Sequence, residues 1–436
     1  MAIPSEVLER TPLITDAGFS RLSDLIQHPD APRWNHQLGD RLKADDLEAA
    51  NAFRRDIIDR THPWLAAFLE RHRKTTWWFE ANLPHRPMEQ WAAIPTMGRE
   101  DIAQRLHLIV PHDADLTEVL SYTTSGTTGH AITVPSHPRT LALNQTLAER
   151  ALSAWDAHVP FGPECTVLQV CERRETYQFA NTFSVWNQTA FAKINLRDDH
   201  WNNGLDAAKR FIESINPALI TGDPAAFVAL AALAPAVTPH AMFSTATTLD
   251  DHTRTIIDAQ CPLIDWYSCT ETGPIAFKNR LGKWEFIAPD LKVEVIDAAG
   301  EPCALGTEGD VAVTGGRNPY LPLLRYRTGD RAVLAADGSG FERLHGRHEV
   351  IFETPNGRVQ GIDIARAMRE RSAFLQHRVV QHSNGSFTVT IRPMKGLTDA
   401  RALREAVHEV VGTSVVLVED GELGVDGKVT CFEVEP

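Results

Sequence analysis

From about residue 119 onward, short apolar runs take turns with segments of helical period, and this alternation limits the architecture more tightly than any other feature of the chain. "TVLQV" at 166 precedes the helical pattern "GLDAAKRFIESI" from 204; "ALIT" at 218 precedes "DPAAFVALAALA" from 223; "AMFST" and "LIDWYS" follow. Apolar runs of this length read as strands, and strands alternating with amphipathic helices predict layered α/β packing.

The flanks read differently. Residues 36 to 71 carry Leu42, Leu47, Phe53, Ile57 and Ile58 at helical spacing, and "MEQWAAIPTMGREDIAQ" turns through Pro95 into a further short helix, so the N-terminal region is expected to be helical. Between 290 and 345 strands and turns dominate, with "LKVEVID" before "AAGEP" and "GDVAVTG" before "GRNPYLPLLRY", which predicts a smaller β-rich subdomain. After Gly346 come a hairpin, "VVQHSNGSFTVTIRP" with its turn at Asn384-Gly385, the helix "TDARALREAVHEVV" and the strand "SVVLVED". The expected fold class is therefore α/β: a large N-terminal domain over 1–345, built of layered α/β subdomains plus the β-rich one, and a small mobile α+β domain over 346–436. A chain of 436 residues has room for two or three domains.

Composition narrows the partners. The net charge of -14, with Lys and Arg outnumbered and never in a block, argues against nucleic acid or an anionic membrane. No apolar run reaches the roughly 20 residues of a membrane span. Six cysteines without a CxxC pair, and an N-terminus without a charged-then-apolar pattern, fit a soluble protein of the reducing cytoplasm. Scattered histidines such as His107, His158 and His200 have no metal-ligand spacing, and no GxSxG elbow of a hydrolase is present.

Four stretches carry chemistry. "SYTTSGTTGH" (121 to 130) packs hydroxyls and two glycines into one loop; converging N–H groups and hydroxyls can cradle phosphate, although a plain surface turn has the same composition. It is not a Walker loop, because no lysine follows Gly129. "WYSCTETGP" (266 to 274) sets an aromatic, a hydroxyl and a carboxylate in line: Tyr267 to stack on a base, Thr270 to bond a phosphate, Glu271 to hold Mg2+. "YRTGD" ends in Asp330, able to accept two bonds from a ribose diol, and "LHGRHE" offers Arg347 beside a glycine. Each of these three also fits an ordinary turn.

In this order and at these distances the four stretches resemble the AMP-forming adenylating superfamily, which joins acyl- and aryl-CoA ligases, nonribosomal adenylation domains and luciferases. The resemblance covers most of the chain. With "IPTMGREDI" and "SYTTSGTTG" it looks most like the phenylacetate-CoA ligase branch, and it implies ATP-dependent activation of a carboxylic acid, aryl or similar, to an acyl-adenylate with Mg2+, then transfer to a thiol, most simply CoA. By position the resemblance makes Thr124, Ser125, Gly126, Thr127, Thr128 and Gly129 the phosphate loop, Tyr267 the adenine platform, Thr270 the α-phosphate contact, Glu271 the Mg2+ ligand, Asp330 the ribose ligand and Arg347 a second nucleotide contact. Glu349 falls at the family's hinge, and Lys428 in "LGVDGKVTCFEV" at its catalytic lysine. Ala246 and Thr247 fall at the adenine-facing segment. "ETYQFANTFSVWNQ" falls where the acyl pocket is drawn, so Phe179, Phe183 and Trp186 are either an aromatic pocket wall or, at spacings of four and three, the packing stripe of a helix.

The chain also departs from the pattern. His130, Ala131, Ile132 and Thr133 follow the loop where the family has proline and then lysine or threonine; Ala246, Thr247 and Thr248 replace a Gly-Glu-Pro or Ala-Glu-Pro triplet; and "IFETPNGRVQGIDI" lacks the hinge-strand lysine. Adenylation is thus better supported than thiolation. An acyl carrier protein or an amine as acceptor, an oligomeric assembly, and a non-catalytic nucleotide-binding protein on a ligase scaffold all remain compatible with the sequence.

Overall fold

The computed structural model describes residues 3–123, 132–247, 249–347, 350–426 and 429–435. Helices lead the chain: α1 (Ser5–Arg10), α2 (Asp16–Ile26), α3 (Ala44–Phe53), α4 (Leu65–Thr75), α5 (Trp77–Asn82) and α6 (Arg99–Ile109). The expected helical run through Ile57 and Ile58 stops at Phe53, and Ile57 is 80% exposed. The segment beyond is rich in charge (Arg54, Arg55, Asp56, Asp59, Arg60) and meets Pro63, which disfavours helix in the residue before it.

A hairpin of β1 (Leu120–Thr123) and β2 (Thr133–Ser136) leads into α7 (Pro138–Ala154). The α/β layer follows as β3 (Thr166–Cys171), β4 (Phe179–Phe183), β5 (Thr189–Asn195), α8 (Gly204–Ile215), β6 (Leu219–Gly222), α9 (Pro224–Leu233), β7 (Ala241–Ser244), α10 (Asp251–Ile257), β8 (Leu263–Cys269), β9 (Gly273–Lys278) and β10 (Trp284–Phe286). Together they make an eight-stranded sheet in the order β10-β9-β8-β7-β6-β3-β5-β4, parallel from β8 to β5 with antiparallel edges. Both faces of the parallel strands are covered, as such sheets require. Val167, Leu219 and Phe243 pack toward α3 and α7, whereas Leu168, Val170, Ile220 and Met242 pack toward α2, α8 and α9. The helices form where the alternation predicts them: α8 buries Ala207, Ala208, Phe211, Ile212 and Ile215 on one face, and Asp223 caps α9 by accepting from Ala226 N at 2.8 Å.

The β-rich part is a four-stranded antiparallel sheet of β11 (Leu291–Ile296), β12 (Glu308–Gly315), β13 (Leu323–Leu334) and β14 (Phe341–Arg347). The last unit holds the hairpin β15 (Ile351–Thr354) and β16 (Gly357–Gln360), then α11 (Gly361–Arg371), β17 (Phe374–Gln381), β18 (Phe387–Pro393), α12 (Ala400–Val411), β19 (Val415–Glu419) and β20 (Phe432–Val434). The β17–β18 hairpin turns through Gly385 at φ 81°, and Asn384 Oδ1 accepts from Ser386 N. This unit has its own core around Phe352, Met368, Val379, Phe387, Ile391 and Leu403, and among the described residues no strand pairing joins it to anything before Arg347. It rests on the α/β layer through ion pairs: Arg369 with Asp250 at 3.2 Å, and Arg392 with Glu172.

Candidate active site

A cavity of about 1040 Å3 lies over one face of the parallel strands and extends to the loops that follow the carboxyl ends of β7 and β8, where ligands sit in open α/β sheets. Sheet register decides its floor. Asn181, Phe191, Val167 and Leu219 form one row across β4, β5, β3 and β6, and Gln169, Thr221 and Phe243 form the next, on the same face. Asn144, Gln145 and Ala148 of α7 face them. Phe179, Phe183 and Trp186 line this cavity, the first two from β4 and Trp186 from the single 3-10 turn Ser184–Trp186 after it rather than from one α-helical stripe, with Phe183 and Phe191 rings 4.8 Å apart.

The other expected segments meet in the same space: Ala246, Thr247, Tyr267, Thr270, Glu271 and Asp330 all line it. Thr245 N donates to Gly222 O at 2.9 Å, which ties the loop after β7 to the end of β6, and Ala246 takes a left-handed φ of 72°. Tyr267 Oη donates to Asp330 Oδ2 at 2.8 Å, with Thr328 Oγ1 at 3.2 Å, and burial raises its phenol well above the ordinary range. A carboxylate has about four acceptor positions, so Asp330 retains capacity for a diol. Arg347 pairs directly opposite Asp330 in the β13–β14 ladder.

Glu271 is buried at 6% exposure, with Arg99 Nη1 3.3 Å from Oε1 and the Tyr326 hydroxyl bonded to the same carboxylate. Burial first, and then that carboxylate, raises the Tyr326 phenol. Glu271 fits a hard cation shared with phosphate oxygens, as the expected Mg2+ would be. Among the described residues no group of three or more His, Cys, Asp or Glu could hold a metal, so the remaining ligands would come from the nucleotide and water.

The corner that carries Thr270 and Glu271 is braced from outside. Gly273 has φ 69°, and a Cβ there would lie 2.6 Å from Asn144 Oδ1 and 2.7 Å from Arg317 Nη1. Arg317 grips Asp290 through two bonds of 3.1 and 2.7 Å, and its Nη1 donates to Asn144 Oδ1 at 2.9 Å and Thr272 O at 3.3 Å. Sequence reasoning assigned neither Arg317 nor Arg99; the glycine pair before Arg317 in "TGGRN" and the cap position of "GREDI" were the available signals. Two more lining residues escaped it. Gln145 presents a buried Nε2 without a partner, and Asp265 has its carboxyl pushed up to about 6 by burial, against the pull of Lys278 and Arg254.

Thr124, Ser125, Gly126, Thr127, Thr128, Gly129, Glu349 and Lys428 lie outside the described residues, as does Thr248. The strands flanking the glycine-rich loop do border the cavity, through Leu120, Ser121, Tyr122 and Ser136.

No protein-family profile and no curated protein sequence matches the chain. Solved structures do. The 2-hydroxyisobutyryl-CoA ligase in its postadenylation state, in complex with R3-HIB-AMP, superposes with a TM-score of 0.60 at 15% identity over 89% of each chain, and its complex with 2-HIB-AMP gives 0.59 at 15% identity, again over 89% of each. The anthranilate CoA ligase AuaEII with anthranoyl-AMP gives 0.49 at 13% identity, over 73% of this chain and 67% of that one. The chain has the adenylate-forming CoA ligase fold, a large N-terminal part with a smaller C-terminal one. Among the described residues no helix is long and apolar enough to cross a membrane.

Proposed function

We propose that this protein activates a carboxylic acid with ATP, releasing pyrophosphate and forming an acyl-adenylate, and then passes the acyl group to the thiol of CoA. One observation carries the reading: segments far apart in sequence, 245–247, 267–271 and 328–330, line a single cavity together with an aromatic wall. An oxygen of the substrate carboxylate attacks the α-phosphorus, and the bond to the β-phosphate oxygen breaks. Such a transfer asks the protein chiefly for positioning and charge neutralisation.

Thr245 to Thr247 and Tyr267 border the adenine, Asp330 takes the ribose hydroxyls, Arg347 adds a second nucleotide contact, and Thr270 bonds the α-phosphate. The loop from Thr124 to Gly129 holds the β- and γ-phosphates. Glu271 would hold Mg2+, which when bound neutralises charge on the phosphates. Lys428 sits across the carboxylate and the α-phosphate as the adenylate forms. Phe179, Phe183 and Trp186 favour an aryl or similarly flat acyl group. For the second step the unit after residue 346 turns about Glu349, the CoA sulfur attacks the acyl carbonyl carbon, and AMP leaves.

ATP–pyrophosphate exchange with a panel of aryl and aliphatic acids, on wild type and Lys428→Ala, tests the first step. Exchange that depends on one acid and collapses in the variant is expected; ATP binding without exchange for any acid would overturn the reading. Acid-dependent AMP release with CoA, set against a carrier protein and simple amines, then identifies the acceptor.

A further inference from the structure

We propose that Arg173 and Arg174, in the loop between β3 and β4, form a clamp that fixes the C-terminal turn Glu422–Asp426 for the adenylation step and has no part in the thiol step. The proposal rests on the reading of Lys428 given above. The turn is gripped at four successive places. Arg197 Nη1 donates to Glu422 Oε2 at 3.0 Å, Arg173 Nη1 to Gly424 O at 2.8 Å, Arg174 N to Val425 O at 3.1 Å, and Arg174 Nε pairs with Asp426 Oδ1 at 2.8 Å. Val425 is fully buried beneath these bonds.

The clamp is anchored on the side of the large unit. Arg173 Nη2 pairs with Asp223 Oδ2 at 2.6 Å, and Asp223 directly follows Gly222, whose carbonyl holds Thr245 of the adenine-facing loop. Asn195 accepts from Arg173 N at 3.1 Å and donates to Arg173 O at 2.6 Å, so the backbone of the clamp cannot drift. One guanidinium therefore bridges the residue that follows β6 and the turn of the other unit, a geometry that the planar, multidentate fork of arginine allows and a lysine does not.

The consequence for chemistry follows from chain geometry. Lys428 is two residues beyond Asp426, so its Cα stays within about 7 Å of Asp426 Cα whatever the local conformation. Holding Asp426 thus limits how far Lys428 can move relative to the large unit before any substrate arrives, and shortens the search that a C-terminal unit without the clamp would make at each turnover. Attack of a thiol on a preformed acyl-adenylate needs no lysine at the α-phosphate and gains nothing from the clamp.

The test pairs two activities with one measurement that needs neither. In the double variant Arg173→Ala, Arg174→Ala, ATP–pyrophosphate exchange is expected to fall at least about tenfold, while CoA thioester formation from synthetic acyl-adenylate stays within about twofold of wild type. Arg174→Asp combined with Asp426→Arg is expected to regain part of the lost exchange relative to Arg174→Asp alone. Amide hydrogen exchange over 420–426 should show protection in wild type that the double variant loses. Equal losses in both half-reactions, exchange unchanged in the double variant, or an unprotected turn in wild type would each overturn the clamp. If wild type exchanges pyrophosphate with no acid, the adenylation reading fails, and the hydrogen-exchange comparison still decides whether the arginines hold the turn.

Discussion

His377 makes the smaller unit acid-sensitive to an extent that can be worked out in advance. It lies in β17 at 5% exposure, edge-on to Phe374 and Phe432 at 5.4 and 5.3 Å, with a buried Nε2 that has no partner. Burial, aided by Arg369 and only partly opposed by Asp250, lowers its pKa to about 3. The folded unit therefore keeps this ring neutral, whereas the unfolded chain protonates it near 6.5. Stability from this source is fully present above the unfolded pKa and is lost as pH falls below it toward the folded value. At pH 5 the unfolded state is favoured by a factor of about 30, or about 2 kcal/mol. The assay is amide exchange in the β17–β18 hairpin at pH 7.5 and pH 5, on wild type and His377→Phe, each corrected for intrinsic rates. Wild type should lose about thirtyfold more protection than the variant. Parallel losses in the two proteins would refute the linkage.

Gly273→Ala forces a Cβ into Asn144 and Arg317 at a positive φ, so a loss of about 2–4 kcal/mol is expected in denaturant unfolding, together with loss of pyrophosphate exchange. Arg317→Met strips Asp290 of its bidentate partner and leaves Asn144 Oδ1 and Thr272 O without their donor; the larger unit should lose about 3–5 kcal/mol, read as a drop in melting temperature. Gln145→Leu removes a buried amide nitrogen without a partner, and a gain of about 1–2 kcal/mol is expected, with preference in the exchange assay moving toward acids lacking a polar substituent. Arg99 holds its positive charge 3.3 Å from Glu271, so Arg99→Gln should tighten Mg2+ binding to the ATP-loaded protein in calorimetric titration by roughly tenfold; weaker binding would mean that Arg99 serves the phosphates instead.

The layered part of the fold was legible because burial on both faces of a parallel sheet leaves short apolar runs, and helices such as α8 keep their apolar residues on one face. Ambiguity arose where two periods coincide. Phe179 and Phe183 are four apart, a spacing that suits one face of a helix and equally one face of a strand, and only β4's pairing with β5 resolves it. Ile57 and Ile58 fit a helical spacing counted from Leu42, yet the charged stretch before Pro63 offers no apolar face to bury, and the chain leaves the helix at Phe53.

The site divides along a related line. Tyr267, Thr270 and Glu271 lie within five consecutive positions, so their chemistry shows as a motif. The residues that position them do not, because Arg99 meets Glu271 across 172 positions and Arg317 meets Thr272 across 45. What these supports share is the guanidinium. Arg317 joins Asp290, Asn144 and Thr272, and Arg173 joins Asp223 to Gly424, each spanning elements that no local pattern connects. A lysine would place one compact charge and satisfy one partner well, whereas the fork fixes the angle between two. Arginine to lysine at positions 173 and 317 should therefore retain the charge and lose the positioning, which separates an electrostatic role for these residues from a geometric one.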